Sequence, residues 1–325
     1  MPSLDIITSA YNEEECLPEL FRRVTDVMAV ESKYEFRIIV IDNGSIDRTW
    51  ELICNESEKN DKVVGIRMSR NFSLDSSFTC GLDYATADLA IIMTSDLQDP
   101  PEAIPQLLRK FEEGYDQVLA KILKRESVPL LRRMMSKIFY KLANAMTSGM
   151  LPESVSDFRL VNKRTYTAIR RLRESHRFLR GLGAWVGFRT SQIEIERPPR
   201  FAGESKWLGM SFFKVVGVAS KSILAYSAQP LAWVSILGLS MSVLSIFSLF
   251  LLIIFWVVFG VPFAGFGSLI GVMVLGFSLT MFAIGILAQY LGLIYEEVKQ
   301  RPLYLVTETS SHLEIHQVLS DLPNH

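Results

Sequence analysis

Along residues 1–120, short apolar runs alternate with longer stretches whose apolar side chains recur at helical spacing. The runs Leu4–Thr8, Phe36–Ile41, Val63–Met68, Leu89–Met93 and Gln117–Ala120 predict strands. Helical patterns fill the gaps, around 14–29, 47–58, 75–86 and 102–112. Alternation at this spacing predicts an α/β domain built on a mostly parallel sheet with helices on both faces. In such sheets ligands bind beyond the carboxyl ends of the strands. Polar clusters fall at three of those ends: Ser9–Glu13, Asp42–Asp47 and Ser95–Asp99. No internal repeat or low-complexity linker interrupts the chain.

The pattern changes after Lys221. From Ser222 to Tyr295 there is no charged side chain, and two apolar runs, Leu231–Phe259 and Phe266–Leu293, fill most of the stretch. Each exceeds the roughly 20 residues that cross a hydrocarbon core about 30 Å thick. The connector GVPFAGFG joins them into an expected two-helix transmembrane hairpin, about 231–259 and 266–293. Lys214 and Lys221 precede it and Lys299 and Arg301 follow it, which places both ends in the cytoplasm. Trp207–Tyr226 carries Trp207, Phe212, Phe213 and Leu224, with Lys214 and Lys221 one heptad apart. That suits an amphipathic helix in the headgroup plane, its lysines toward anionic lipid. The lipid bilayer is therefore an expected partner. Two helices without an intramembrane charge make a poor transport pathway, which disfavours a carrier.

Charge sharpens the picture. Net charge is only −1, yet residues 1–120 hold 11 Lys/Arg against 23 Asp/Glu, and residues 121–221 hold 21 against 7. An acidic segment, a basic one and an uncharged one follow in that order. The basic segment beside the bilayer suits an anionic, lipid-borne substrate; no nucleic-acid partner is expected. Cys16, Cys54 and Cys80 are odd in number and widely spaced, so they read as reduced thiols without a zinc site. No basic segment with an apolar core opens the chain, so no leader peptide is expected. The expected division is 1–206 for the cytosolic domain (halves 1–120 and 121–206), 207–228 interfacial, 229–295 transmembrane and 296–325 a cytosolic tail.

The stretch TSDLQDPPE, residues 94–102, closes the fourth apolar run. It reads either as a strand exit capped at a helix start by Asp99 and the two prolines, or as a site for a metal and a diphosphate. Its neighbours bear on the choice. AYNEE after the first strand, DNGSIDRT after the second, MSRNF after the third and SDLQDPPE after the fourth resemble the inverting glycosyltransferases of family 2, which have the GT-A fold. SDFRLVNKR (156–164), RFLRGLGAWVG (177–187), RFAGESKW (200–207) and YLGLIYEEVKQRPLYLV (290–306) narrow the resemblance to the polyprenyl-phosphate group, which includes bactoprenol glucosyltransferases and dolichol-phosphate mannose synthases. It covers about residues 4–306. The two-helix anchor makes it more similar to the bacterial type, in the cytoplasmic membrane.

The resemblance implies inverting transfer of a hexose, glucose or a related sugar, from a UDP-sugar to undecaprenyl (polyprenyl) phosphate. The product would be a lipid-linked sugar for envelope-glycan modification. Residues 1–120 become the nucleotide-sugar half and 121–206 the acceptor half. Tyr11, Glu13 and Asp42 fall on the nucleoside frame, with Asp96 also on the donor. The second Asp and the Gln of the family's metal motif fall on Asp96 and Gln98, which implies Mg²⁺ or Mn²⁺ on the leaving diphosphate. Asp157 falls on the family's proposed base. The acceptor is a phosphate monoester with a second pKa near 6, so it needs little deprotonation and the protein must chiefly bring two anions together. Arg200 and Lys206 are the first candidates for that work, and Lys124 and Arg125 the second. The tail YEEVKQRPLYLV falls where the family's subunits pack, which implies a homo-oligomer.

The chain departs from the family pattern at four places. Thr94 replaces the first acidic residue of the metal motif, which removes one hard ligand; Asp99 is a candidate replacement. Asn43 stands for the second Asp of Asp-Asp-Gly-Ser, Ser9 for the proline before YNE, and Ser73-Leu74-Asp75 for Gly-Lys-Glu after RNF. Thr94 leaves a second reading open: a catalytically weakened or inactive scaffold that binds nucleotide-sugar or lipid in an envelope-glycan pathway.

Overall fold

The computed structural model describes residues 1–123, 155–175, 177–202 and 265–310, with scattered helical positions between 234 and 259. The first apolar run lies largely outside the described residues, as do Lys124, Arg125, Lys206 and the stretch 207–228. Strands β1 (Ser3–Ala10), β2 (Glu35–Asp42), β3 (Val63–Met68), β4 (Leu89–Thr94) and β5 (Gln117–Ile122) form where the apolar runs predict them. Helices α1 (Leu17–Val30), α2 (Thr49–Lys59), α3 (Leu74–Tyr84) and α4 (Ile104–Glu112) fill the gaps. Beyond them come β6 (Val155–Asn162), α5 (Lys163–Arg171), α6 (Leu179–Trp185), β7 (Thr190–Ile195), α7 (Phe266–Val298) and β8 (Val306–Thr309).

All eight strands make one mixed sheet in the order β7-β5-β6-β4-β1-β2-β3-β8. The parallel pairs are β1 with β2 and β4, β2 with β3, and β5 with β7. β6 runs antiparallel between β4 and β5, and β8 runs antiparallel on the β3 edge. Both reversals matter for position. Because β6 opposes β4, its first residues, Ser156 and Asp157, arrive beside the carboxyl end of β4. β8 brings residues 306–309, assigned by sequence to a tail, into the sheet.

Strand alternation divides the core in two. Leu4, Ile6, Ile38 and Val40 pack on one face with Leu17, Leu20 and Val24 of α1 and Leu107 of α4. Ile7, Ile39 and Ile41 pack on the other with Phe78 and Leu82 of α3, Tyr166 of α5 and Leu182 of α6. A methyl on Gly81 would stand 2.2 Å from Ile7 Cγ2, so α3 lies on β1 at a distance only glycine permits. All three cysteines are free thiols, as their spacing implies.

α7 is 33 residues long, about 50 Å at the helical rise. Within it, Val272–Val298 has mean hydropathy 2.0 and none of that stretch is buried inside the protein. It is one helix long and apolar enough to cross a membrane. Its last turn meets the domain, where Ser175 N donates to Glu297 Oε2 at 2.8 Å.

Candidate active site

The loops leaving β1, β2, β3 and β4 are stitched together at the carboxyl edge of the sheet. Asn12 N donates to Ser45 Oγ and Ile46 N to Asn12 Oδ1, joining the first loop to the second. Asn43 Nδ2 donates to Phe72 O and Phe72 N to Asn43 Oδ1, joining the second to the third. Asn43 thereby explains one departure from the family pattern, since an aspartate could not donate to Phe72 O. Gly44 has φ +73°, and a Cβ there would stand 2.4 Å from the Arg70 carbonyl carbon, so the turn admits glycine alone. Ser95 Oγ donates to Ser9 O at 2.8 Å and ties the β4 exit to β1.

Asp42 ends β2 with its side chain fully buried. Oδ1 accepts from Ser45 N at 2.9 Å, Oδ2 accepts no hydrogen bond, and Arg67 Nε lies 3.3 Å from it. Burial pushes this carboxyl up, against the pull of Ser45 and Arg67. Tyr11 is half-buried at the β1 exit. Glu13, also buried, meets Arg200, whose Nη2 stands 2.5 Å from Glu13 Oε1. Arg200 Nε donates to Ala202 O at 2.6 Å, and its Nη1 lies 3.9 Å from Asp96 Oδ2. One guanidinium therefore joins carboxylates from the β1 and β4 exits. A cavity of about 200 Å³ opens there, lined by Asn12, Glu13, Asp47, Arg200 and Ala202 among others.

The fourth loop turns on Leu97, whose φ of +60° is a left-handed conformation for a buried, branched side chain. Asn12, at φ +53°, is strained in the same sense on the first loop. Such residues cost on the order of 1–3 kcal/mol and cluster where geometry serves function. Asp96 Oδ1 accepts from Thr94 Oγ1 at 2.8 Å and from Gln98 N at 3.2 Å. The same Thr94 hydroxyl stands 2.9 Å from Asp99 Oδ2. Thr94 is thus a neutral hydroxyl between two carboxylates, where a third acid would repel both.

Asp99 does not replace the missing ligand. It is fully buried, accepting from Thr94 N and Ser156 Oγ, with Arg197 Nη2 at 3.7 Å. Both its oxygens serve the interior, so neither turns to the cleft. Nor does it cap a helix: Pro101–Ala103 forms a single 3₁₀ turn with Pro100 at its cap.

Asp157 opens toward Arg180, whose Nε and Nη2 donate to Oδ1 and Oδ2, both at 2.7 Å. Burial opposes its charge, yet Arg180, Arg159 and Arg197 together hold its carboxyl below the ordinary range. A carboxylate so held is a weak base. Asp75 sits beside this pair, its Oδ1 accepting from Leu179 N at 2.9 Å. Burial, then repulsion from Asp157, pushes Asp75 up to about 6 against Leu179 N, Arg180 and Arg159. Asp75, read by sequence only as a departure from the family pattern, and Arg180, read only as part of RFLRGLGAWVG, are not among the candidate site residues; their roles arise from contacts across 104 and 23 positions, which no local motif carries.

A raised carboxyl favours the protonated form in the fold. The stability Asp75 contributes is complete below about 4 and is lost as pH rises through about 6. Asp75→Asn, which keeps an acceptor for Leu179 N, is expected to gain thermal midpoint over wild type between pH 4.5 and about 6, and to hold that gain level up to pH 7.5, in detergent. A difference that is constant across that range would contradict it.

The sequence profile described as Glycosyl transferase family 2 matches residues 5–170, which include the β1, β2, β3 and β4 exits and Asp157. The chain is a family 2 glycosyltransferase. It is 36% identical over 306 residues to an uncharacterized glycosyltransferase of Synechocystis sp., covering 94% of this chain and 95% of that one. It is 34% identical over 307 residues to the SfII prophage-derived bactoprenol glucosyl transferase of Shigella flexneri, covering 94% and 98%. A looser likeness links it to glucosyl-3-phosphoglycerate synthase of Mycobacterium tuberculosis in complex with Mn²⁺, UDP and phosphoglyceric acid: 16% identity, TM-score 0.46, 69% of this chain and 76% of that one. The family 2 enzyme has one mixed sheet with its polar loops gathered at one edge.

Proposed function

We propose that the enzyme transfers a hexose, glucose or a close relative, from a UDP-sugar to undecaprenyl phosphate at the cytoplasmic face of the bacterial inner membrane. The convergence of Glu13, Asp96 and Arg200 at the carboxyl edge of the sheet, beside Asp42, carries this reading. The bactoprenol glucosyl transferase relatives, matched over nearly their full length, support the acceptor class. The domain plan belongs to the same proposal: a catalytic unit over 1–206, an interfacial helix over 207–228, a transmembrane hairpin over 229–295 and a cytosolic tail. The exposed apolar α7 supports the second span. Assembly into a homo-oligomer belongs to it as well.

In this reading Tyr11, Glu13 and Asp42 frame the nucleoside. The described residues include no group of three His, Cys, Asp or Glu able to hold a metal. Asp96 and Gln98 instead supply one carboxylate and one amide oxygen. That donor set fits Mg²⁺ or Mn²⁺ shared with a diphosphate, because Mg²⁺ keeps waters and takes one or two carboxylates plus substrate phosphates. When bound, the cation neutralises charge on the departing UDP. Arg200 stands beside the same carboxylate and lowers the repulsion between donor and acceptor anions. Lys206, Lys124 and Arg125 complete the acceptor-phosphate set.

The reaction is a displacement at the anomeric carbon. An oxygen of the lipid phosphate forms the new bond while the bond to the UDP oxygen breaks, inverting the configuration. The phosphate is mostly a dianion at cytosolic pH, so it attacks without help from a strong base. Asp157 accordingly works by fixing Arg180 at the β6 edge. The scaffold reading rested on Thr94, and Thr94 holds Asp96 by a hydrogen bond, so the substitution gives it no support. The test is the purified full chain with a panel of radiolabelled nucleotide sugars, Mg²⁺ or Mn²⁺ and polyprenyl phosphate. Label entering the organic-phase lipid from a UDP-hexose is expected; none from any donor would overturn the proposal.

A further inference from the structure

The strand that follows the apolar helix reaches the nucleotide end of the domain. β8 lies antiparallel on β3 with Arg67 and Glu308 directly opposed, and the register shifts at Arg67/Met68. Glu308 Oε2 accepts from Trp50 Nε1 at 2.9 Å, and Glu308 Oε1 stands 3.4 Å from Arg67 Nη1. The other edge of the same guanidinium, Nε, lies 3.3 Å from Asp42 Oδ2. Arg67 also stacks over the Trp50 ring, 5.7 Å from its centroid. A 54% exposed carboxylate from the tail is therefore linked through one arginine to a fully buried carboxylate on the DNGS loop.

Asp42 Oδ2 is buried and accepts no hydrogen bond. An ionised oxygen left so is costly unless a cation faces it or a donor arrives. Arg67 is that cation, but its long side chain needs fixing, and Glu308 with Trp50 supplies the fixing. The docking of β8 does not need the Glu308 side chain. Ser310 Oγ accepts from Gly65 N, Leu305 O accepts from Ser69 N, and Tyr304 OH donates to Asp83 Oδ2 at 2.8 Å. The strand is held by these, and Glu308 adds a directed charge.

We infer that Glu308 is a positioning residue of the donor site: it fixes Arg67, and through Arg67 it holds Asp42 in place at the exit of β2, the edge of the sheet where the nucleoside is proposed to lie. This rests on the proposed reading of Asp42 as a nucleoside contact. Its consequence is that the donor site draws on residues from both sides of the apolar segments. Nucleotide affinity then depends on the tail lying folded back on β3.

The test is UDP binding by the full chain in detergent with Mn²⁺, measured by titration calorimetry, beside steady-state transfer. Glu308→Ala is expected to weaken UDP binding about tenfold and raise KM for the donor equally, with kcat at saturating donor unchanged. In an Arg67→Ala background it is expected to add nothing, since both changes break one link. Glu308→Gln, which keeps an acceptor for Trp50, should fall between. If Glu308→Ala lowers the thermal midpoint, Glu308→Gln at native midpoint decides. Wild-type UDP affinity in that variant, or additive losses with Arg67→Ala, would overturn the inference. Asp42→Asn is measured in parallel: unchanged UDP affinity there refutes the nucleoside reading itself, whereas a loss there with wild-type Glu308 variants refutes only the role of Glu308.

Discussion

Asp96→Asn is expected to lower hexose transfer by about 10²- to 10³-fold while leaving the enzyme folded, the scale on which one charge-stabilising group counts. Its structural part is small. Asn keeps an oxygen for Thr94 Oγ1 and Gln98 N, the two donors Asp96 Oδ1 uses, so the Leu97 turn should persist. What disappears is negative charge on the oxygen that faces Arg200. With Thr94 neutral and Asp99 turned inward, no second carboxylate on this loop can take over cation binding. Initial rates across Mg²⁺ and Mn²⁺ concentrations, with circular dichroism for the fold, check the prediction. Unchanged turnover would place the cation elsewhere.

Arg200→Ala should cut kcat/KM by about 10²- to 10³-fold, again the range for a lost electrostatic contact, and should destabilise the fold as well. Arg200 stands 2.5 Å from the buried Glu13 and 3.9 Å from Asp96. Removing one partner of a buried pair costs roughly 3–5 kcal/mol, because the remaining charge keeps its desolvation penalty. The diphosphate would then face two carboxylates without that cation between them. Arg200→Lys restores charge but not the fork and should recover part of the loss. Steady-state kinetics and thermal unfolding of both variants separate the catalytic effect from the structural one. Wild-type kinetics in Arg200→Ala and in Lys206→Ala would move the acceptor site off RFAGESKW.

Short continuous apolar runs and their polar exits make the first five strands, and the candidate site at their carboxyl edge, readable from sequence. The pattern exists because buried parallel strands must be apolar, while backbone geometry puts ligand-facing residues just past them. β6 and β8 escaped it, since strand direction and long-range pairing leave no local signature. With them went Arg180 and Glu308, which matter through partners far along the chain. Thr94 shows the reverse. A motif comparison marks it as a lost ligand, and only the contacts to Asp96 and Asp99 give it a role. Asp99 looked available because it follows the motif; its burial against Ser156 depends on β6.

In the proposed mechanism the donor is held between Asp42 and Asp96, with Arg200 facing the incoming lipid phosphate. A structure of the full chain in lipid nanodiscs with UDP and Mn²⁺ tests that most directly. The uracil is expected against the Asp42 loop, the metal on Asp96 and Gln98, and the diphosphate beside Arg200. Nucleotide bound away from the β1, β2 and β4 exits, or a metal without Asp96 among its ligands, would contradict it.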